Sequence, residues 1–568
     1  MKKIQTILLI FLVIFSVEAQ WSTNPAENTP VCVAIQQQSK SCIINDNNGN
    51  VIIGWRDLRD EPVFGGDIYV QKLDIGTGEP QWTIDGKKIN TQNGVQLNLD
   101  MCADGSGGAF LVWQVNNGGS GNYDLYAQHI NSDGDIIWSS GEIVISQALN
   151  EQEYPRIISD GFGGAIIVWH DNHILIGKKE VYAQRVDSSG NILWASGGIL
   201  VSPVPTVPGT IRVICDDAGG AIIVWVDSRN GTDENIYCQR IDADGNKLWD
   251  TNDVELCNAG YSQGSPKLVS DGENGAIFTW SDSRNGYGTS DIYAQRVNAE
   301  GTIQWTTNGE VICEVLYVQG YQNITSDGKG GAIITWEDDF NTNDTKISAQ
   351  RISIDGNILW TIDGVLVGNA TQNQTLPIIA SDDAGGAIIA WQDYRNFVQG
   401  DIYAQRIDSS GTIMWNETGL SICTISTGED DPQIIKDGYG GAILSWTDHR
   451  QTPQWDIYAQ NIDHSGNLGT ITFVEENNKP PYSFNLDQNF PNPFNPSTTI
   501  KWQQPEPGMV NLKIYDVLGR EVTTLVNKEK SAGSYEVEFD ATAFPSGIYF
   551  YKLQSGSFVE TKKMVLMK

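Results

Sequence analysis

The sequence predicts an all-β fold, and three observations carry that prediction. Gly (59) and Trp (18) are frequent while charged residues are only 19% of the 568-residue chain, a balance that favours turn-rich β structure over helices. One phrase recurs through most of the chain: a strand ending in Asp, a Gly-Gly-Ala turn, an apolar run ending in Trp, an Asp-x-Arg turn, then a segment such as Asp401-Ile402-Tyr403-Ala404-Gln405-Arg406. After Gly469 the composition shifts and a shorter β pattern begins.

The repeat fixes the first architecture. Its leading Trp falls at Trp55, Trp113, Trp169, Trp225, Trp280, Trp336, Trp391 and Trp446, at intervals of 55 to 58 residues. A second Trp falls at Trp82, Trp138, Trp194, Trp249, Trp305, Trp360 and Trp415. With Trp21, sixteen of the 18 Trp hold repeat positions, and only Trp455 and Trp502 lie outside. Each period divides into four strands, in the third copy 156–160, 165–171, 181–187 and 192–201, separated by Gly, Asn, Asp and Ser clusters. The run Ala165-Ile166-Ile167-Val168-Trp169 is apolar on both sides and needs cover on both faces. One sheet cannot cover itself twice, but radially stacked copies can, which is a β-propeller.

The ends of the repeat predict closure. The eighth copy has three strands at 433–437, 442–448 and 456–463, but its fourth, near 466–470, has lost the Trp. Gln20-Trp21 runs on to Val31-Cys32 as Gln304-Trp305 runs on to Ile312-Cys313. The N-terminal strand is therefore expected to complete the last blade of an eight-bladed propeller over 20–468, leaving no sheet edge at the seam. An open solenoid is the competing architecture.

Charge and export come next. Lys2, Lys3 and the apolar stretch 4–17 read as a signal peptide over 1–19, with cleavage between Ala19 and Gln20. The alternative, an uncleaved anchor, needs about 20 apolar residues, more than this run offers. The chain carries a net −34, and residues 20–482 hold −35 of it. Such a field repels nucleic acid and anionic membrane and suits solubility in a salty exterior, or calcium binding. The eight Cys show no dense disulfide framework and no CxxC, so small buried hydrophobes are the expected role.

Repetition also sorts candidate sites, because a catalytic group is needed once while a residue present in most copies reads as architecture. The Trp residues should pack between blades, the Gly pairs should make turns of positive φ, and the strand-end Asp should cap turns. The Asp-x-Arg turn occurs at Asp57/Arg59, Asp227/Arg229, Asp282/Arg284, Asp393/Arg395 and Asp448/Arg450. It is either a polar ring on one propeller face that binds glycan, peptide or ion, or a repeated ion pair closing a hairpin. The irregular loops 116–123, 171–179 and 397–400 are the better places for a specific ligand. His170 and His173 lack a third ligand, so no metal site is expected. Asp242-x-Asp244-x-Asn246 is a calcium-like run without the later Glu of an EF-hand, so calcium stays open and no other cofactor is expected. Neither a GxSxG elbow nor a phosphate-binding Gly loop occurs, and no catalytic residue is assigned.

Two partial resemblances concern the repeat. The segment from Ile241 to Trp249, and those at 186–194 and 407–415, resemble the tryptophan-docking motif of eight-bladed quinoprotein propellers. Asp to Gly is one residue shorter than in that family and its adjacent Cys pair is absent, so the resemblance implies Trp packing and no cofactor. Asp187, Gly190 and Trp194 are too widely spaced for a sialidase-type Asp box.

The C-terminal part follows a linker over 469–483. Its alternating strands at 510–515, 521–526, 534–539, 547–553 and 558–567 suit an immunoglobulin-like sandwich. Asn489-Phe490-Pro491-Asn492-Pro493-Phe494-Asn495-Pro496, Gly547-Ile548-Tyr549 and the closing Lys562-Lys563-Met564-Val565-Leu566-Met567-Lys568 carry a further likeness. On them residues 484–568 resemble the type A C-terminal sorting domain of the type IX (Por) secretion system, with the immunoglobulin-like domain of flagellar hook-capping proteins as another label. The resemblance implies a Gram-negative bacterium of Bacteroidetes kind, export to the periplasm, passage through an outer-membrane translocon, and release or surface attachment. Together these readings predict a secreted or cell-surface propeller that binds glycan or protein without catalysis. A propeller enzyme acting on extracellular glycan, or a quinoprotein-like oxidoreductase, is the alternative.

Overall fold

The computed structural model describes residues 21–469 and 485–567 apart from 61–64, 92–93, 117–121, 139–140, 173–178, 205, 208, 232, 287, 340–343, 397–399, 487, 490–491, 493, 505–507, 531–532 and 556–557. The leader with Ala19 and Gln20, and the linker beyond Gly469, lie outside the described residues. Every named element is a strand, and the chain separates into two compact units, 1–472 and 473–568.

The first unit contains, among the described residues, eight four-stranded antiparallel sheets. The first sheet runs Gln38–Asn45, Asn50–Asp57, Asp67–Asp74 and Lys87–Lys88, each strand paired with the next in the chain. Six more repeat this meander in order. The eighth uses Glu429–Lys436, Ala442–Asp448 and Asp456–Ile462, and its fourth place is filled by Thr29–Cys32, with Thr29 opposite Ala459 and Cys32 opposite Ile457.

The apolar second strands explain the stacking. Ala165–Asp171 is buried along its whole length. Ile166 and Val168 of the third sheet share a core with Ala221, Ile223 and Trp225 of the fourth. The same arrangement joins Val51, Ile53 and Trp55 of the first sheet to Ile443, Ile457 and Ala459 of the eighth, with Trp21, Val31 and Cys32 between them. First strands of consecutive sheets touch one another, and Gln38–Asn45 touches both Val95–Ala103 and Glu429–Lys436, so the circuit of contacts closes.

The second Trp series makes the same circuit from outside. Trp82 donates its indole N–H to Ser132 O at 3.2 Å, and Trp415 donates to His464 O at 3.2 Å. Each ring lies against a glycine of the next sheet, such as Gly134 on Trp82 and Gly466 on Trp415. At Gly301, φ is +82° and a Cβ would sit 2.6 Å from Trp249, so glycine meets both demands there. Trp21 supplies the missing member: it donates to Ile75 O at 2.7 Å and packs on Gly78.

One strand assignment needs correction. The expected fourth strand 192–201 of the third copy is only Ile199–Ser202, and Ile192 makes an isolated bridge to Val186. Residues between them turn so that Trp194 points sideways onto the next sheet, where its N–H reaches Ala243 O at 3.0 Å. A side chain committed to a neighbouring sheet takes its backbone out of the pairing.

In the second unit, Asn485–Leu486, Ser497–Gln504 and Gly533–Asp540 form one sheet. Gly508–Tyr515, Glu521–Lys530, Gly547–Ser555 and Phe558–Leu566 form another. Both contribute to one core that includes Trp502, Phe539, Leu512, Tyr551 and Met564.

Candidate functional site

The Asp-x-Arg turns have the same construction in all five copies. In the fifth sheet, Asp282 is fully buried and accepts from Trp280 Nε1 at 2.8 Å, Arg284 N at 2.9 Å and Arg284 Nη2 at 2.5 Å. The Arg284 guanidinium lies 3.6 Å from the centre of the Tyr293 ring and donates to Asn308 O at 2.8 Å. Its Nη2 also meets Cys257 on the last strand of the preceding sheet, at 3.3 Å. Asp57 with Arg59, Asp227 with Arg229, and Asp448 with Arg450 repeat the ion pair at 2.6–2.7 Å, each Arg over its own Tyr. Arg450 reaches Asn28 Oδ1 at 3.1 Å on the N-terminal segment, which links the seam.

Of the two readings of the Asp-x-Arg turn, the contacts of Arg395 have the form of the ion pair that closes a hairpin. Its Nε donates to Asp393 Oδ1 at 2.7 Å, and its Nη2 donates to Asp393 Oδ2 and to Thr418 O, both at 2.6 Å. The Arg395 guanidinium also lies 3.7 Å from the centre of the Tyr403 ring. Asp393 is fully buried and accepts from Trp391 Nε1 at 2.9 Å as well. With Nε and Nη2 on a buried carboxylate and a backbone carbonyl, and one face on an aromatic ring, Arg395 closes a hairpin. The same ion pair is made by Arg59, Arg229, Arg284 and Arg450: a carboxylate two residues earlier is the local counter-charge of each guanidinium. Where the Arg is missing, as in the sixth sheet, burial pushes the Asp338 carboxyl up to about 6.

A second buried row joins the first and third strands. The Asp at the end of the first strand caps the turn that follows, as Asp271 does by accepting from Glu273 N and Gly275 N at 2.8 Å. Its other oxygen binds a third-strand cation, as in Arg296–Asp271 at 2.8 Å, Arg351–Asp327 at 2.8 Å and Lys72–Asp46 at 2.7 Å. The eighth sheet has Asn461 in the cation's place, and burial raises the Asp437 carboxyl there.

The other sequence candidates do not assemble a metal centre. His170 is buried, with Nδ1 2.7 Å from Thr206 Oγ1 and Nε2 accepting from Gly209 N at 3.1 Å, and burial holds it down to about 3. His173 lies outside the described residues, as do most of loops 171–179, 116–123 and 397–400. Asp242 folds its carboxylate onto Asp244 N and Asn246 N, an ordinary Asx turn. Cys423, Glu429 and Asp448 bring ligand atoms within 4.8 Å, but Arg450 and Trp446 already hold Asp448.

The variable residues lie on the first strands. In seven sheets this strand carries a bulge, seen as a register shift such as Ser39/Cys42, Glu153/Arg156 or Gly320/Asn323. At each bulge one non-glycine residue holds a left-handed φ of 51–57°: Lys40, Asn98, Tyr154, Ser265, Tyr321, Leu376 and Asp431. Holding an L-residue there costs about 1 kcal/mol or more per site. Bulges re-aim side chains, and here one backbone device aims six kinds of side chain in seven sheets, with only Tyr used twice.

First strands of all eight sheets line two cavities. The larger, about 610 Å³, takes Lys40, Asn98, Asp100, Tyr154, Arg156, Asp430 and Asp431 together with Arg56 and Trp455. The smaller, about 490 Å³, takes Arg212, Lys267, Tyr321, Asn323 and Leu376. Gln433 lines both. Trp455, a Trp outside the repeat, stacks on His449 with ring centres 4.9 Å apart. Burial raises the Asp100 carboxyl, against the pull of Arg156. The sequence reading, which favours the loops, misses this constellation. Its signal is present nonetheless: within an otherwise constant repeat, the second and fourth positions after the first-strand Gln vary from copy to copy.

Residues 488–567 match the family of secretion system C-terminal sorting domains. No curated protein matches the chain. Among solved structures the chain is similar to an ulvan lyase of polysaccharide lyase family 25, with 13% identity, 69% of this chain and 96% of that chain covered, and TM-score 0.38. It is also similar to an endo-arabinase from Bacteroides thetaiotaomicron VPI-5482, with 16% identity, 44% and 91% covered, and TM-score 0.25. At that level neither substrate nor activity carries over to this chain. No helix among the described residues is long and apolar enough to cross a membrane. The C-terminal unit therefore has an assigned role: residues 488–567 are a type IX secretion sorting domain, a tag read by the translocon, and the protein is secreted or displayed on the outer surface of a Bacteroidetes-type cell.

Proposed function

We propose that residues 20–468 form an eight-bladed β-propeller, exported behind a signal peptide over 1–19, that binds a glycan or a protein segment in the space enclosed by its first strands. Residues 484–568 then act as an immunoglobulin-like export module. One observation carries the binding reading. The buried Asp, Arg and Trp positions repeat, whereas the seven left-handed bulges carry six different residue types. A fold that keeps one strained backbone device and varies only its side chain is built to present a surface. Trp455, Tyr154 and Lys40 on one cavity wall provide an apolar ring face beside charge, the mixture that ligand pockets use.

The test is binding of the purified secreted chain to glycan arrays and to surface-protein extracts, alongside a Trp455→Ala, Tyr154→Ala double variant. Specific binding lost in the variant supports the reading. No partner in either screen, together with measured turnover on a polysaccharide, overturns it. The enzymatic reading has its own observation: Asp100, with a raised carboxyl, shares a cavity with Asp430 and Asp431. Turnover abolished by Asp100→Asn would favour it.

A further inference from the structure

We infer that Arg156, Arg212 and Lys267 form a subsite for an oxyanion, a sulfate or carboxylate group, inside the circuit of first strands. The subsite deepens the binding reading and rests on it for the larger ligand that would carry the anion.

The three side chains occupy one register position. Arg156 pairs with Val168, Arg212 with Val224 and Lys267 with Thr279, in each case the residue before the sheet's leading Trp. In the other five sheets the position holds Cys42, Asp100, Asn323, Ile378 and Gln433. The cations are therefore confined to three adjacent sheets and make an arc instead of a ring. Arg156 lines the larger cavity, and Arg212 and Lys267 line the smaller.

Their partners are the unusual feature. Arg185, Arg240, Arg296, Arg351 and Arg406, one strand row away, each bind a buried Asp. Among the described residues, none of the three channel cations has an ion-pair partner within 4.0 Å. Arg212 donates only to backbone, Gly209 O at 3.0 Å and Ile211 O at 2.7 Å. The carboxylate opposing Arg156 and Arg212 is Asp100, which already accepts from Ile157 N at 3.0 Å. Asp431 and Asp430, which share the larger cavity with Arg156, already face Lys40 and His449, so three cations against Asp100 leave a local positive charge inside a unit that is otherwise strongly acidic. Enclosed unpaired charge is costly to keep, and an oxyanion would satisfy it with the charge-assisted bonds that Arg and Lys make best. Mutual repulsion is visible: burial, then Arg212 and Arg156, hold Lys267 down to about 7. The surrounding acidic field disfavours a long polyanion, so the fit is a single oxyanion on a short or sparsely charged ligand.

The test is isothermal titration of the full chain with inorganic sulfate and, separately, with glucuronate, at constant ionic strength. Saturable binding is expected, with at least about a tenfold loss in Lys267→Met and Arg156→Met. Lys267→Arg should retain it, and Lys436→Gln, which removes a cation from an exposed ion pair, should leave it unchanged. Tighter sulfate points to a sulfate ester, and tighter glucuronate to a uronic acid. Independently of any variant, sulfate should shield Arg156 and Arg212 from phenylglyoxal, read by peptide mass. Absence of saturable binding by both anions, or wild-type affinity in both Met variants, overturns the subsite. A glycan or protein that binds the Lys267→Met chain unchanged sinks the subsite and spares the binding reading. Sulfate binding without any macromolecular partner does the reverse.

Discussion

Asp282 shows how one carboxylate serves several neighbours at once. It holds an indole, a guanidinium and a turn amide, and it does so with no exposed surface. Asp282→Asn would leave Arg284 enclosed without its counter-charge, and about 3–5 kcal/mol of stability should be lost. A shift of the denaturation midpoint measures this, and a change below about 1 kcal/mol would refute the latch. Glu429 makes the contrasting case, standing where six other sheets have Gln. Burial pushes it up to about 9, so the folded chain keeps a proton that the unfolded chain releases near its ordinary 4.5. The stability it contributes is complete below about 4.5 and is lost as pH rises toward 9, by at most about 1.4 kcal/mol per pH unit. Glu429→Gln should therefore gain on wild type between pH 5 and pH 8, as denaturation at the two pH values would record. Lys267, facing Arg156, Arg212 and Tyr321, should make sulfate affinity fall as pH passes upward through about 7.

At the scale of the strand, the seam is the informative place. Thr29–Cys32 lies more than 400 residues from the strand it pairs with, so closing that loop carries a large entropic cost before any contact forms. Trp21 on Gly78, and Arg450 on Asn28, are the contacts that offset it. Trp21→Ala should cost about 3–5 kcal/mol and should free the N-terminal segment to trypsin well before global unfolding. Unchanged proteolysis would mean the seam is held elsewhere. The seam was legible in the sequence because Gln20-Trp21 copies the Gln304-Trp305 pattern. The first-strand bulges were not legible, because a residue at left-handed φ has no required identity: Lys40, Tyr154 and Leu376 all adopt it.

Across the whole molecule, the two units answer different needs. The sorting domain carries as many cations as anions over 483–568, while the acidic charge sits in 20–482. A chain lacking 488–567 should accumulate in the periplasm while keeping its repeat fold, measured by cell fractionation and circular dichroism. Normal secretion of the truncated chain would remove the export role from this segment.

The sequence by itself determined the all-β class, the eight-fold repeat, the sorting tag and the pairing of chain ends, because each depends on local periodicity or on motifs that recur in order. Tertiary structure alone showed Asp-x-Arg turns such as Asp393 with Arg395 as ion-paired hairpin turns, and brought unlike residues from eight distant strands to shared cavities. Along the chain such a site shows only as variable positions in a constant repeat: its members lie roughly 56 residues apart, and the cavities they line unite them.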